Sequence, residues 1–557
     1  MTLVVSRRRF FAGGLAAAGA LGLGGVANAR GLSHGMFTHG VASGDPLGEA
    51  VIIWTRFVTA DAGPGRIGWE VAEDESFATL VASGTVEVRP ARDFCVKVDV
   101  GGLKPGRHYV YRFISAKGDS VTGLTRTAPD KGVASLSFAQ LSCANLAFGY
   151  FHAYRDALSR PDLDLCVHLG DYIYEYRRGK YPAAKDAVPE RVLEPETEIV
   201  SPSDYHRRYA RYRDDPDLQE LHRTKPWIVI WDDHEFADDA WRDGAENHDP
   251  LTQGTWAARR AAAIAAYFDW LPIRHASRDG ISIYRRFDWG GLATLIALDT
   301  RIVGRSKQPD YDVFKPYTDK DDAALAAAVE SFRKREMADP SRTMLGKAQE
   351  AWLGGELRRS KAAGVPWQII LQQVLVGSVS SPPEMSKFLP DDASEGSKAF
   401  MALRTRLVTQ GLPFVVDNWN GYPMARARLL AALQANANNA LVLAGDSHNA
   451  WANDLPGDGR LAGVEIGCTS VSSPGIEAVL NRAEPGAREA VLTGFNEGLS
   501  WCDNANRGYT LVTVTPEAAV ANYIATGSVR TRDAALTGET RLVSAASAHG
   551  AQAWARA

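Results

Sequence analysis

Six short apolar runs in this chain each end on residues able to do chemistry. Leu141 is followed by Ser142-Cys143-Ala144-Asn145, and Leu169 by Gly170-Asp171-Tyr172-Ile173-Tyr174-Glu175. Trp231 leads into Asp232-Asp233-His234-Glu235, and Leu298 into Asp299-Thr300-Arg301. Val416 leads into Asp417-Asn418-Trp419-Asn420, and Ala444 into Gly445-Asp446-Ser447-His448. Charges abutting apolar strands must be paired, hydrogen-bonded or metal-bound, because desolvating them alone is costly. Acids outnumber adjacent cations in these stretches, so metal ions are the simplest counter-charge. A thiolate, a phenolate, an imidazole and carboxylates together suit a redox-capable or borderline ion such as iron or zinc. The surplus carboxylates and Asn suit a hard ion such as calcium, magnesium or manganese. Two such ions side by side polarise a phosphoryl oxygen and lower the pKa of a bound water, and phosphoester hydrolysis is the reaction that most needs this.

The elements that position these residues are legible in the pattern. Leu136–Leu141, Leu163–Leu169, Trp227–Trp231, Leu292–Leu298, Trp367–Leu371, Phe414–Val416 and Leu441–Ala444 are continuous apolar runs, as strands buried on both faces are. Helical patterns such as Tyr150–Leu158 and Trp352–Ala363 lie between them, which predicts an α/β domain with its ligands outside the carboxyl ends of the strands. Before Pro129 the grammar is all-β: Val51–Thr55, Phe94–Val100 and the stretch from Leu103 to Phe113 are strand-like, with Gly, Pro and Asp punctuation. A tyrosine soon after the Lys104-Pro105-Gly106 turn resembles the corner motif of immunoglobulin-like sandwiches. The expected organisation is therefore a β-sandwich over 36–129, a catalytic domain over 133–528 and a C-terminal tail over 529–557, whose order is left open. Two long polar segments, around 177–203 and 305–343, read as insertions near the mouth of the site.

Whole-chain properties narrow the class. The chain has 557 residues, 45% hydrophobic and 23% charged, with a net charge of −4. That length favours two domains, and the weak net charge without dense basic blocks excludes a dedicated nucleic-acid partner. No apolar run in the mature chain is long enough to span a bilayer. Ser6-Arg7-Arg8-Arg9-Phe10-Phe11, a Gly/Ala-rich stretch from Ala12 to Val26 and Ala27-Asn28-Ala29 form a twin-arginine leader over 1–29. This leader predicts the twin-arginine translocase as export partner and a periplasmic or secreted destination. The five cysteines are Cys95, Cys143, Cys166, Cys468 and Cys502; their odd number leaves at least one thiol free, and a Cys468–Cys502 pairing stays open. Cys166, His168, His152 and His206 are taken as structural, Tyr205, Tyr209 and Tyr212 as a packed helical face, and Trp231 as packing behind the site.

The motifs resemble the PhoD-like alkaline phosphatases within the wider metallophosphoesterases. The resemblance rests on His39-Gly40-Val41-Ala42-Ser43-Gly44-Asp45-Pro46, on Val167 to Tyr174, on Trp227 to Glu235 and on Leu443 to His448. It implies a four-layer α/β/β/α metallophosphoesterase domain preceded by an immunoglobulin/fibronectin-like β-sandwich. It further implies iron(III) (Fe3+) held by Cys143, Asp171, Tyr174 and His448, and calcium (Ca2+) held by Asp171, Asp233 and Asp446, with Asp171 bridging. His234 would be leaving-group acid or phosphate contact, and Asp417 a ligand of a further calcium, near Asn420 where the family pattern has an acid. Arg260 and Arg274 both remain open as the guanidinium that neutralises the phosphate, with Arg274 carried into the expected site. The implied activity is hydrolysis of phosphate mono- and diesters at alkaline pH. The alternatives are a phospholipase D-like diesterase acting on lipid head groups, marked by an apolar groove or aromatic rim, and a non-catalytic phosphate-binding protein.

Overall fold

The computed structural model describes residues 31–275 and 281–557; the expected twin-arginine leader lies outside them. Three sheets carry the fold. The first runs, in spatial order, through the strands Ala555–Arg556, Leu536–Ala545, Ala518–Thr526, Arg507–Val514, Leu136–Leu141, Leu165–His168, Pro226–Val229, Gly35–Gly44, Ala50–Thr59 and Cys95–Gly101. The second runs through Arg285–Trp289, Ala293–Ala297, Trp367–Leu371, Asn439–Ala444, Gly463–Gly467, Ala450–Leu455 and Leu499–Asp503. Both have a parallel centre, Leu136–Leu141/Leu165–His168/Pro226–Val229 in one and Ala293–Ala297/Trp367–Leu371/Asn439–Ala444 in the other. These central strands are buried along their whole length, as their unbroken apolar sequences require.

The two larger sheets face each other across a shared core and are stapled by two buried glutamines. Gln140 Nε2 donates to the carbonyls of Ala444 and Ile466, each at 3.0 Å. Gln373 Nε2 donates to the carbonyls of Trp231 at 2.7 Å and Leu298 at 3.2 Å. Each amide crosses from one sheet to the other directly behind a site loop. Helices such as His152–Leu158, Pro202–Arg213 and Trp256–Trp270 cover the first sheet, and Gly346–Ala362 and Pro423–Asn436 the second, which completes the four layers.

The N-terminal region is a two-sheet sandwich, but its sheets are not both its own. Leu80–Val88, Gly65–Ala72, His108–Ser115, Gly118–Asp119 and Gly123–Arg126 make a five-stranded sheet. It packs over Val41, Val51, Ile53, Phe57 and Val96, which belong to the end of the ten-stranded sheet. Tyr109 Oη accepts the Lys104 N–H at 2.9 Å, the corner contact expected from the turn. The sandwich joins the catalytic sheet where Ser43 and Gly44 pair in parallel with Pro226 and Trp227. A Cβ at Gly44 would lie 2.3 Å from the Pro272 carbonyl, so only glycine permits this approach. Asp45 then accepts a buried ion pair from Arg285 (2.7 Å) and the backbone N–H of Arg274 (2.7 Å). The segment His39–Pro46 is thus a docking device between the two domains.

One expectation changes and two open points close. Phe414–Val416 is an irregular segment rather than a strand; it follows Pro413, which lacks a ladder donor, and Val415 is 43% exposed. All five cysteines are free and buried, Cys468 and Cys502 included. The segment 529–557, left open above, contains Leu536–Ala545, which extends the first sheet by pairing along Ala518–Thr526. Among the described residues no helix is long and apolar enough to cross a membrane.

Removing the buried partner of Arg285 would strand a desolvated guanidinium at the domain junction. Asp45→Ala is expected to lower stability in urea titration by about 3–5 kcal/mol. Asp99→Ala, which removes the half-exposed partner of Arg274, should cost no more than about 1 kcal/mol.

Candidate metal centre

The loops that follow the central strands of both sheets converge on one crevice. Cys143, Asp171, Asp446 and His448 all hold positive φ, between 53° and 62°. A non-glycine residue in this region is strained by about 1–3 kcal/mol, a cost met where side-chain direction is functional. Sharp turns at the strand ends aim these four side chains inward instead of along the strand. Two glycines make the turns fit. Gly170 has φ +107° and its absent Cβ would lie 2.4 Å from Asp232 Cβ, while a Cβ on Gly445 would lie 2.8 Å from Ser142 Cβ.

Glu235 locks two of these loops together. Its carboxylate accepts the backbone N–H of Asp171 (3.0 Å), Tyr172 (2.6 Å) and Asp232 (2.6 Å). Donors of that number on one buried acid set the relative position of Asp171 and Asp233.

The ligand atoms of Cys143, Asp171 and His448 lie within 4.8 Å of one another. Tyr174 Oη joins them, donating to Asp171 Oδ2 at 3.0 Å and lying 3.1 Å from His448 Nε2 and 2.6 Å from Ser473 Oγ. His448 Nδ1 lies 2.7 Å from the Pro474 carbonyl, which fixes the tautomer with Nδ1 as donor and leaves the Nε2 lone pair facing Asp171 and Tyr174. Burial holds His448 neutral, its pKa pushed down to about 3. Burial, and next the Asp171 carboxylate, push both the Cys143 thiol and the Tyr174 phenol well above their ordinary values. Such donors become thiolate and phenolate only against a cation, which is what this donor set would be built to bind.

Asp171 is shared with a second group, Asp171, Asp233 and His234, and Asp233 is in turn shared with Asp232 and Asp446 and with Asp238 and Asp239. Burial raises the Asp171 and Asp446 carboxyls far above the carboxylate range. Asp233 is equally buried, yet Arg301 and His234 hold it low. Asp171 Oδ1 and Asp232 Oδ2 are buried without a hydrogen-bond partner. Buried carboxylate oxygens without hydrogen-bond partners are placed to coordinate a cation, so the residues present fit metal ions.

The cations, however, are not as scarce as the sequence suggested. Arg301 is fully buried and donates to Asp417 Oδ2 at 2.6 Å, to Asp446 Oδ1 at 2.9 Å and to Asp232, with Asp233 at 3.6 Å. Arg305 pairs with Asp417 on its other side. Asp417 is thereby placed in the cluster through two guanidinium groups. Arg274 is not in it: its guanidinium binds Asp99 (2.7 Å, twice) and the Asp45 carbonyl at the sandwich junction. Arg260 is likewise outside, bonded to the Arg242 carbonyl.

His234 is the candidate acid. Its Nδ1 lies 2.8 Å from Glu175 Oε2, and its ring packs tilted against that of Tyr174, the centroids 4.3 Å apart. Burial opposes its charge, but Asp233, Glu175 and Asp171 outweigh it and raise the imidazole well above its ordinary value. Glu175 is itself fixed by the Asp238 N–H and Asn247 Nδ2, both at 2.8 Å. The insertions reach the rim: Tyr181 Oη lies 3.2 Å from His448 Nδ1, and Gln308 Nε2 lies 3.2 Å from Asp239 Oδ2. Sequence reasoning missed Glu175, Arg301, Arg305, Tyr181 and Ser473. Arg301 carried a signal, being a cation three residues beyond an apolar strand; Ser473 and Tyr181 carried none.

Glu235→Gln replaces one of two acceptor oxygens with an amide NH2 beneath three N–H donors. It is expected to lower stability by about 1.5–3 kcal/mol in denaturant titration, with far-UV circular dichroism unchanged.

Comparison with known proteins identifies the family. The family model described as PhoD-like phosphatase matches residues 138–523, and that of the PhoD-like phosphatase N-terminal domain matches residues 25–129. Alkaline phosphatase D of Bacillus subtilis (strain 168) is 33% identical over 505 residues, spanning 87% of this chain and 77% of that protein. A solved structure of PhoD superposes with a TM-score of 0.74 at 30% identity, covering 93% of this chain and 92% of that one. The chain belongs to the PhoD-like phosphatase family.

Proposed function

We propose that this protein is an exported, metal-dependent alkaline phosphatase that hydrolyses phosphate mono- and diesters. The observation that carries the reading is the shared Asp171, whose oxygens serve both the Cys143–His448 group and the Asp233–His234 group. Cys143, Asp171, Tyr174 and His448 would hold iron(III); Asp171, Asp233 and Asp446 would hold calcium, with Asp417 the donor to a further calcium. When bound, such ions polarise the phosphoryl oxygens and lower the pKa of water.

The protein's own groups do the rest. The Pro474 carbonyl orients His448, Glu235 fixes the spacing of the Asp171 and Asp233 loops, and Arg301, with Arg305 beside it, brings a guanidinium into the acid cluster. It takes the place expected of Arg274. Asp233 and Glu175 hold His234 in its protonated form, with Nε2–H, 3.9 Å from Asp238 Oδ1, the proton donor to the departing alkoxide or aryloxide. The twin-arginine leader supports export through the twin-arginine translocase to the periplasm or beyond.

Purified mature protein is expected to turn over an aryl phosphate monoester, a matching diester or both, and to lose turnover on chelation and in Asp171→Asn. Metal-loaded, folded wild type that cleaves neither ester would overturn the reading.

Glu175→Gln removes a negative charge beside a histidine whose pKa is raised. The protonated acid is then lost at lower pH, so the alkaline limb of the kcat profile should move to lower pH. An unmoved limb in steady-state assays would remove His234 from the acid role.

A further inference from the structure

Away from the metal centre, a cavity of about 600 Å³ opens between the insertion turn Arg333–Met337, the Gly411–Pro413 stretch and one face of the helix Pro423–Asn436. This volume lies within the roughly 300–1,000 Å³ of ordinary ligand pockets. Its walls are mainly apolar, with Met337, Leu412 and Leu430 inside and Met424 and Phe495 at the rim. The rim residues are 41% and 49% exposed, which leaves apolar surface in water at the entrance.

The polar groups in this cavity are donors in need of an acceptor. Asn420 is only 8% exposed, and its Nδ2 is buried without a partner. Arg426 donates from Nε to the Val376 carbonyl at 2.6 Å, while its Nη2 is buried without a partner. The nearby Glu465 does not supply the acceptor. Its oxygens already take the Val376 and Gly377 N–H groups at 2.6 and 2.8 Å and Asn453 Nδ2 at 2.9 Å. Arg333 adds a second guanidinium to the lining, bonded to Glu330 and the Gln410 carbonyl. Buried donors normally have acceptors, and two orphans beside an apolar wall call for an anion that carries a hydrocarbon tail.

We propose that this cavity binds a single-chain anionic amphiphile of the long-chain carboxylate type, its head on Arg426 and Asn420 and its tail along Leu430 and Met337 toward Phe495. The proposal is independent of the phosphatase reading. Asn420 serves it directly: the amide that stands where an acid was expected beside Asp417 lines this cavity.

Calorimetric titration of the mature protein with dodecanoate, acetate and dodecyltrimethylammonium tests it. Two variants accompany wild type: Arg426→Met, which keeps bulk and removes charge, and Ala427→Trp, which fills the cavity from an exposed helical position. Dodecanoate is expected to bind saturably, with each variant weakening it by roughly tenfold or more, as loss of a charge-assisted contact does. Aryl phosphate turnover should stay unchanged, and thermal melts check that both variants are folded. No binding to folded wild type, equal binding of the cationic amphiphile, binding of acetate at dodecanoate's affinity, or indifference to both variants would each overturn it. Turnover is read separately, so failure of the phosphatase reading is not mistaken for failure of this one.

Discussion

The whole arrangement depends on concentrating negative charge where water is scarce. Asp171, Asp232, Asp233 and Glu235 are each at most 3% exposed, within loops that touch. Charges in such surroundings lose hydration worth several kcal/mol each, and the loss is recovered only by close counter-charges and hydrogen bonds. The architecture answers with three devices. Arg301 and Arg305 are driven into the cluster, backbone N–H groups are turned onto Glu235, and Asp171 and Asp232 keep oxygens free for a cation.

Those devices act only if the two sheets stay in register with each other. Cys143, Asp171 and Asp233 follow strands of the first sheet, Asp446 and His448 a strand of the second, and Asp417 the irregular segment Phe414–Val416. A shift between sheets would separate the donors that share Asp171. Gln140 and Gln373 resist it by bonding across the sheets within the core. Gly445 against Ser142 and Gly170 against Asp232 bring the backbones closer than any side chain would allow. The strain at four positive-φ residues is held by this closeness, and it becomes useful because every strained residue points at the same volume.

Much of this was legible before any coordinates. Strands buried on both faces are unbroken apolar runs, so Leu136–Leu141, Trp367–Leu371 and Leu441–Ala444 could be read directly, and with them the polar residues at their ends. Phe414–Val416 misled because three apolar residues after a proline look the same in a strand or a loop. Continuity of the sandwich with the catalytic sheet was hidden, since the Ser43–Pro226 pairing joins residues far apart in sequence. Arg274 was the wrong guanidinium for the same reason. Sequence shows which arginines exist, but Asp45 and Asp99, brought close only by the fold, take up its donors. Arg301 was visible next to an apolar strand, yet nothing local said that four aspartates would gather around it.

The two halves of the cluster differ in what they ask of a cation. Around Asp232, Asp233, Asp417 and Asp446, Arg301 already supplies positive charge, so this half is partly balanced by the chain itself. Cys143, Tyr174 and His448 have a neutral imidazole, a thiol and a phenol at their disposal, and burial favours the uncharged form of each. An ion entering there must displace the thiol and phenol protons, which a highly charged, thiolate-tolerant ion does far better than a weakly polarising one. In the acid-rich half Arg301 and His234 already hold Asp233 low, while Asp446 is raised by burial, and this half suits an ion that accepts oxygen donors in flexible geometry. The two halves thus differ in ligand type and in how much positive charge the protein itself supplies, because Arg301 reaches only one side of Asp171.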